Sequence, residues 1–119
     1  MNCGVFCVRE YLKLVGIDSG VIIKELDGRV TPRGLSLQDI IEVLRAHGIV
    51  CEGFYDRKVC NDFPYIMYDV VYRHYYLVIA GDDRHIWMCD ALLGYIRVRR
   101  WFFRLFWRKY YVSLRYSVI

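Results

Sequence analysis

The apolar period of this chain changes once, near its middle, and that change restricts what it can fold into. Behind Asn2, a good helix cap, Val5, Val8, Leu12 and Val15 recur at helical spacing until Gly16 ends the run. A short helix over residues 21–26 is expected after Ser19, and residues 28–34, with Pro32, read as a loop. Ser36 with Asp39 three positions on is a serine–acid variant of the capping box. The stripe of Leu37, Ile40, Ile41 and Leu44 then predicts a helix that Gly48 closes after His47. From residue 49 the runs are short and rich in β-branched and aromatic residues, which predicts strands over 49–55, 65–71, 74–80 and 86–90. Gly81-Asp82-Asp83 is the turn signal between the last two. Residues 95–99 alternate as a strand, 101–107 read as one or two helical turns, and 110–118 alternate again. Helices first and an antiparallel sheet afterwards define an α+β protein.

The 119 residues correspond to one domain with one core, so the whole span 1–119 is read as a single unit. Apolar residues at 56%, with 17% aromatic, exclude a disordered chain, and two prolines and nine glycines exclude a low-complexity one. No apolar run approaches the roughly 18–20 residues of a membrane span. The start, Met-Asn-Cys-Gly, has no basic region followed by a long apolar stretch, so no secretory signal is expected. Five cysteines, an odd number, then argue for free thiols in a reducing compartment.

Charge divides unevenly. Residues 1–90 carry ten basic and thirteen acidic side chains, whereas residues 91–119 carry seven basic and no acidic ones. Basic residues interleaved with aromatics suit an anionic membrane surface, a partner protein or nucleic acid. They equally suit a packed segment whose aromatics turn inward while arginine stems cover the edge. Trp101, Phe102 or Phe103, Phe106 and Trp107 are expected to split between core and surface, because one helical stripe cannot bury them all. Arg97, Arg99, Arg104, Arg108 and Lys109 would then ring an apolar surface.

Three residues carry the chemistry. Cys3 falls in the first turn of the first helix, and helix N-termini favour the thiolate, the species that attacks a carbonyl. If Ala80 pairs with Arg84 around a three-residue turn, counting back sets His74 directly opposite Asp90 on one face of a hairpin. A slip of one residue would undo that placement. A carboxylate on one imidazole nitrogen selects the tautomer and leaves the other nitrogen for a nucleophile. A small buried thiol and a sheet-edge His–Asp pair are the structural alternatives. His47, at a helix C-terminus, and His85, on the other hairpin face, are weaker candidates and expected to be solvated. Cys3 and Cys7, four apart, are spaced to ligate zinc with His74 and Asp90 or Cys89, but no C-x-x-C pair or H-E-x-x-H motif is present. No glycine-rich phosphate loop suggests ATP, and no cofactor is expected.

Asn2-Cys3-Gly4-Val5-Phe6-Cys7-Val8, running into Tyr11-Leu12-Lys13-Leu14-Val15-Gly16, resembles the nucleophile helix of family C39 cysteine peptidases. These are papain-like domains that remove double-glycine leader peptides from bacteriocins and similar bacterial precursors. Gly34-Leu35-Ser36-Leu37-Gln38-Asp39 resembles the family's second signature, and Pro64-Tyr65-Ile66 its next strand. His74-Tyr75-Tyr76-Leu77-Val78-Ile79 is similar to the His-Phe-Val-Val segment, residues 90–94 to Asp-Pro-x-x-Gly, and residues 103–107 to Phe-x-x-x-Trp. The resemblance implies a papain-like fold and a thiol peptidase with a Cys3, His74 and Asp90 triad. It further implies a precursor-peptide substrate cut after two small residues, and a cytoplasmic site beside an ABC transporter or the inner membrane face, reached through the basic tail. No nucleic acid and no metal are implied. The sequence departs from the family pattern at Asn2 and Ala91, where Asp and Pro are usual. The family's Gln several residues before the nucleophile, an oxyanion-hole donor, would fall before Met1, so a start further upstream, another donor in its place, or a weak or inactive domain are the readings left open. Loss of one such donor costs about 10²–10³ in rate. The alternative implied is a weak or inactive C39-like domain that binds leader peptides or docks on a transporter.

Overall fold

The computed structural model describes residues 2–55, 62–70, 72–107 and 111–116. Three helices come first, α1 (Cys3–Leu14), α2 (Gly20–Asp27) and α3 (Leu37–Ala46). They are followed by β1 (Cys51–Tyr55), β2 (Tyr65–Asp69), β3 (His74–Gly81), β4 (His85–Asp90) and β5 (Gly94–Arg99), then α4 (Arg100–Trp107) and β6 (Tyr111–Tyr116). Cys60, Val71, Arg108, Lys109 and residues 110, 117 and 118 of the expected elements lie outside the described residues, as do the side chains of Phe106 and Trp107.

The helix ends follow local chemistry. The Asn2 Oδ1 accepts from the N–H groups of Gly4 (2.8 Å) and Val5 (3.3 Å), meeting two of the donors a helix start leaves orphaned. Gly16 and Gly48 take the left-handed conformation just past α1 and α3, where glycine has no side chain to clash. The Ser36 Oγ accepts from the Asp39 N–H at 3.0 Å and donates to Asp39 Oδ2 at 2.9 Å. α2 differs from expectation: the Ser19 side chain caps nothing, and Asp18 Oδ1 accepts from Gly20 N–H instead. On α3 the buried stripe is Ile40, Val43 and Leu44, while Leu37 and Ile41 are partly buried at its margin.

All strand pairs are antiparallel, and the sheet order is β1-β6-β2-β3-β4-β5. The chain's last strand therefore inserts between β1 and β2, a placement no local pattern indicates. α1, α2 and α3 cover one face, with Val8, Leu12, Leu26 and Leu44 packed against Ile66, Tyr75, Leu77 and Cys89. The other face carries Tyr65, Met67, Val78, Ile86 and Met88 and is closed by Phe103 of α4. β2 is accordingly buried at four of its five positions rather than alternating.

The β3–β4 hairpin corrects the expected register. β3 runs on through Gly81, and Asp82 makes the turn: its Oδ1 accepts from the N–H of Arg84 (2.8 Å) and His85 (2.7 Å). The ladder opens with Gly81 opposite Ile86 and Ala80 opposite Trp87, then resumes with Val78 opposite Met88 and Leu77 opposite Cys89. Ile79 is the extra residue of a bulge on β3. Carried one step further, the ladder sets Tyr76 against Asp90, so His74 is a diagonal neighbour of Asp90 and not its direct partner.

Candidate active site

That bulge decides whether His74 and Asp90 can meet. Continued without it, the pairing at the turn would put Leu77 opposite Asp90, and His74, three residues back, on the other face. The inserted Ile79 restores the phase. The two side chains then share a face at diagonal positions, within reach of long side chains. His74 Nε2 and Asp90 Oδ1 are 2.7 Å apart, with side chains 19% and 5% exposed. Asp90 Oδ1 also accepts from the Leu92 N–H at 3.2 Å, which ties the carboxylate to the turn that follows β4. The Tyr76 ring stands edge-on to the imidazole at 4.7 Å between centroids and limits how the ring can turn.

α1 brings Cys3 to the same end of β3. Cys3 is the first residue of the helix, partly buried, and no acidic side chain lies in that first turn. A side-chain carbon at Gly4 would come within 3.1 Å of the Tyr75 ring, so helix and strand approach closely here and a larger residue would require the ring to give way slightly. These contact residues are the chain neighbours of Cys3 and His74. Tyr75 is held in turn by its hydroxyl, which donates to the Leu35 carbonyl at 2.7 Å. Asn2 engages the N–H groups of Gly4 and Val5, and among the described residues the Cys3 N–H has no partner.

The other thiols sit in different surroundings. Burial pushes the Cys7 thiol up, with the nearby Cys3, Cys89 and Asp90 adding to it. Burial raises Cys51 and Cys89 as well. Burial likewise raises the Tyr75 phenol, which remains a hydrogen-bond donor. His47 is exposed, as expected, and its Nε2 pairs with Glu25 Oε2 at 2.7 Å, joining α3 to α2. His85 lies 3.9 Å from Asp82 in the hairpin turn, at the far end of β4 from Asp90. Among the described residues no group of three or more His, Cys, Asp and Glu is placed to hold a metal ion.

Sequence reasoning passed over Tyr75, Tyr76 and Asp69. Asp69 is buried and pairs in register with His74, and its Oδ1 accepts from the Tyr72 N–H at 3.2 Å. The expected strand runs on to residue 71, so a count from the turn does not set Asp69 opposite His74; β2 ends at Asp69 instead.

The fold is that of the double-glycine peptidase domains of family C39: N-terminal helices on an antiparallel sheet. One similar structure is a double-glycine motif protease from an AMS/PCAT transporter in complex with the leader peptide. It has a TM-score of 0.81 at 15% identity, over 99% of this chain and 85% of that one. The peptidase domain of Streptococcus ComA, a bifunctional ABC transporter of a quorum-sensing pathway, has a TM-score of 0.75 at 18% identity, over 98% and 92%. The Streptococcus mutans ComA peptidase domain matches over 74% and 79%, at 15% identity and a TM-score of 0.58. No protein-family model matches the sequence, and no curated protein matches it in sequence.

Proposed function

We propose that the chain, as a single domain over residues 1–119, is a thiol peptidase that removes leader peptides from bacterial precursor peptides of bacteriocin type. The observation that carries this reading is the 2.7 Å His74–Asp90 bond at the end of β3 where α1 begins, in a fold shared with double-glycine peptidase domains. Cys3 is the proposed nucleophile. Its sulfur attacks the scissile carbonyl, and His74 delivers a proton to the leaving amine and then takes one from the water that releases the acyl group. Asp90 on Nε2 orients the ring and leaves Nδ1 for these transfers. The Cys3 N–H, without a partner among the described residues, serves as one oxyanion donor. A cleft that admits only two small residues before the cut follows the double-glycine specificity of the similar structures. By the same likeness, the domain works in the cytoplasm beside an ABC transporter, and no helix among the described residues is long and apolar enough to cross a membrane.

Incubation with precursor peptides whose leaders end in Gly-Gly tests this reading. Cleavage after the second glycine is expected from the chain and none from Cys3→Ala, whose melting temperature should match the parent. Leader binding by the parent without cleavage would favour a leader-binding or transporter-docking domain. Unfolding of Cys3→Ala would mark Cys3 as a packed residue.

A further inference from the structure

At the turn end of the β3–β4 hairpin, away from the His74–Asp90 pair by the length of β4, lies a cavity of about 550 Å³. It is lined by Asp83, Arg84, His85, Arg99, Arg100, Trp101 and Arg104. β4 spans six residues, so the two ends are about 17 Å apart at ~3.4 Å per residue. Arg100 is structural: its Nε donates to the Asp82 carbonyl at 2.7 Å and its N–H to the Arg84 carbonyl. Arg84, Arg99 and Arg104 are exposed, and among the described residues no carboxylate pairs with any of the three guanidinium groups. Against the single carboxylate of Asp83 in the lining, three guanidinium groups without an ion pair leave the concavity net positive and suited to an anion, and their planar forks match a phosphate.

The rim of this cavity is apolar. Phe103 anchors α4 in the core, so Trp101 and Leu105, two positions to either side, point away from the sheet and are 54% and 68% exposed. Phe102 between them is also exposed. A soluble phosphate would leave this surface in water, whereas a bilayer accepts both parts: phosphate among the arginines, and Trp and Leu at the level of the acyl boundary. We infer that this corner of the molecule, Arg84, Arg99 and Arg104 with Trp101 and Leu105, is a binding site for the headgroup of anionic phospholipid at a membrane surface. The inference does not depend on the peptidase reading, because it uses none of the residues near Cys3 and is read without turnover.

Co-sedimentation of the full chain with vesicles of phosphatidylcholine alone, and of phosphatidylcholine with phosphatidylglycerol, tests it. Binding is expected on the phosphatidylglycerol vesicles only, and it should fall steeply between low and physiological salt, because surface charge is screened over about 8–10 Å. Arg84→Gln, Arg99→Gln and Arg104→Gln should each lower the partition coefficient about fivefold, near 1 kcal/mol per basic residue. Trp101→Ser with Leu105→Ser should lower it further, whereas Lys24→Gln and Arg33→Gln, of equal charge change elsewhere, should leave it closer to the parent. All five arginine and lysine positions are solvent-exposed, so these variants should fold, and unchanged melting temperatures would verify it. Equal binding to both vesicle types would overturn the inference, as would parental binding by the triple arginine variant. So would a melting-temperature rise with inorganic phosphate or pyrophosphate in the absence of vesicle binding, which would make the site one for a soluble phosphate.

Discussion

The four described cysteines differ in their surroundings. Cys7, Cys51 and Cys89 are buried side chains whose thiols burial pushes up, and a thiol held protonated is a poor nucleophile. Cys3 is partly exposed at the start of α1, with its own N–H unpartnered among the described residues. Limited alkylation at neutral pH followed by peptide mass analysis should therefore modify Cys3 well ahead of Cys7, Cys51 and Cys89. Equal modification of Cys3 and Cys7 in the folded protein would argue against an activated thiol.

Among the elements, the β3–β4 hairpin has the largest consequence for the site. Its turn is clamped by Asp82, whose carboxylate the N–H groups of Arg84 and His85 hold below the usual carboxylate value of 3.8. A carboxyl lowered by folding contributes stability at pH above its unfolded value, and that contribution is lost as pH falls through the folded one. The parent should therefore lose more melting temperature on acidification below pH 3.8 than Asp82→Asn, whose amide does not titrate. The comparison is made by thermal scans of both proteins across that range. Identical acid limbs would show that the Asp82 carboxylate adds nothing measurable to a turn already held by the Asp82 N–H on the His85 carbonyl and by Arg100 on the Asp82 carbonyl.

At the scale of the whole molecule, one sheet carries two cores of unequal support. Leu44, fully buried, packs among residues of three helices and the sheet, whereas Phe103 is the buried side chain by which α4 closes the other face. Leu44→Ala should cost about 2–5 kcal/mol and Phe103→Ala about 3–5 kcal/mol in denaturant unfolding. The two should differ in kind. Leu44→Ala lowers the stability of the α1–α3 layer against which the Cys3 end is built. Phe103→Ala releases α4, so it should also weaken vesicle binding while sparing any peptide cleavage. Loss of cleavage in Phe103→Ala at a temperature where the protein stays folded would show that the two faces are coupled.

Much of this was legible from the chain alone. The caps at Asn2 and Ser36, the stops at Gly16 and Gly48, and the change from helical to strand period are interactions between residues a few positions apart, so neighbours in sequence suffice to specify them. Cys3, His74 and Asp90 could be singled out for the same reason: a helix start, and two ends of a predicted hairpin. The geometry that joins them was not legible. The count from an assumed turn set His74 opposite Asp90, and the observed register, two residues away, reaches the same face only because Ile79 bulges. A bulge, the insertion of β6 between β1 and β2, and the seating of α4 on the far face all depend on which side chains bury together across long stretches of chain. Those energies belong to contacts between distant residues. Local periodicity does not contain them, so only the assembled sheet decides where the His74–Asp90 pair stands relative to the start of α1.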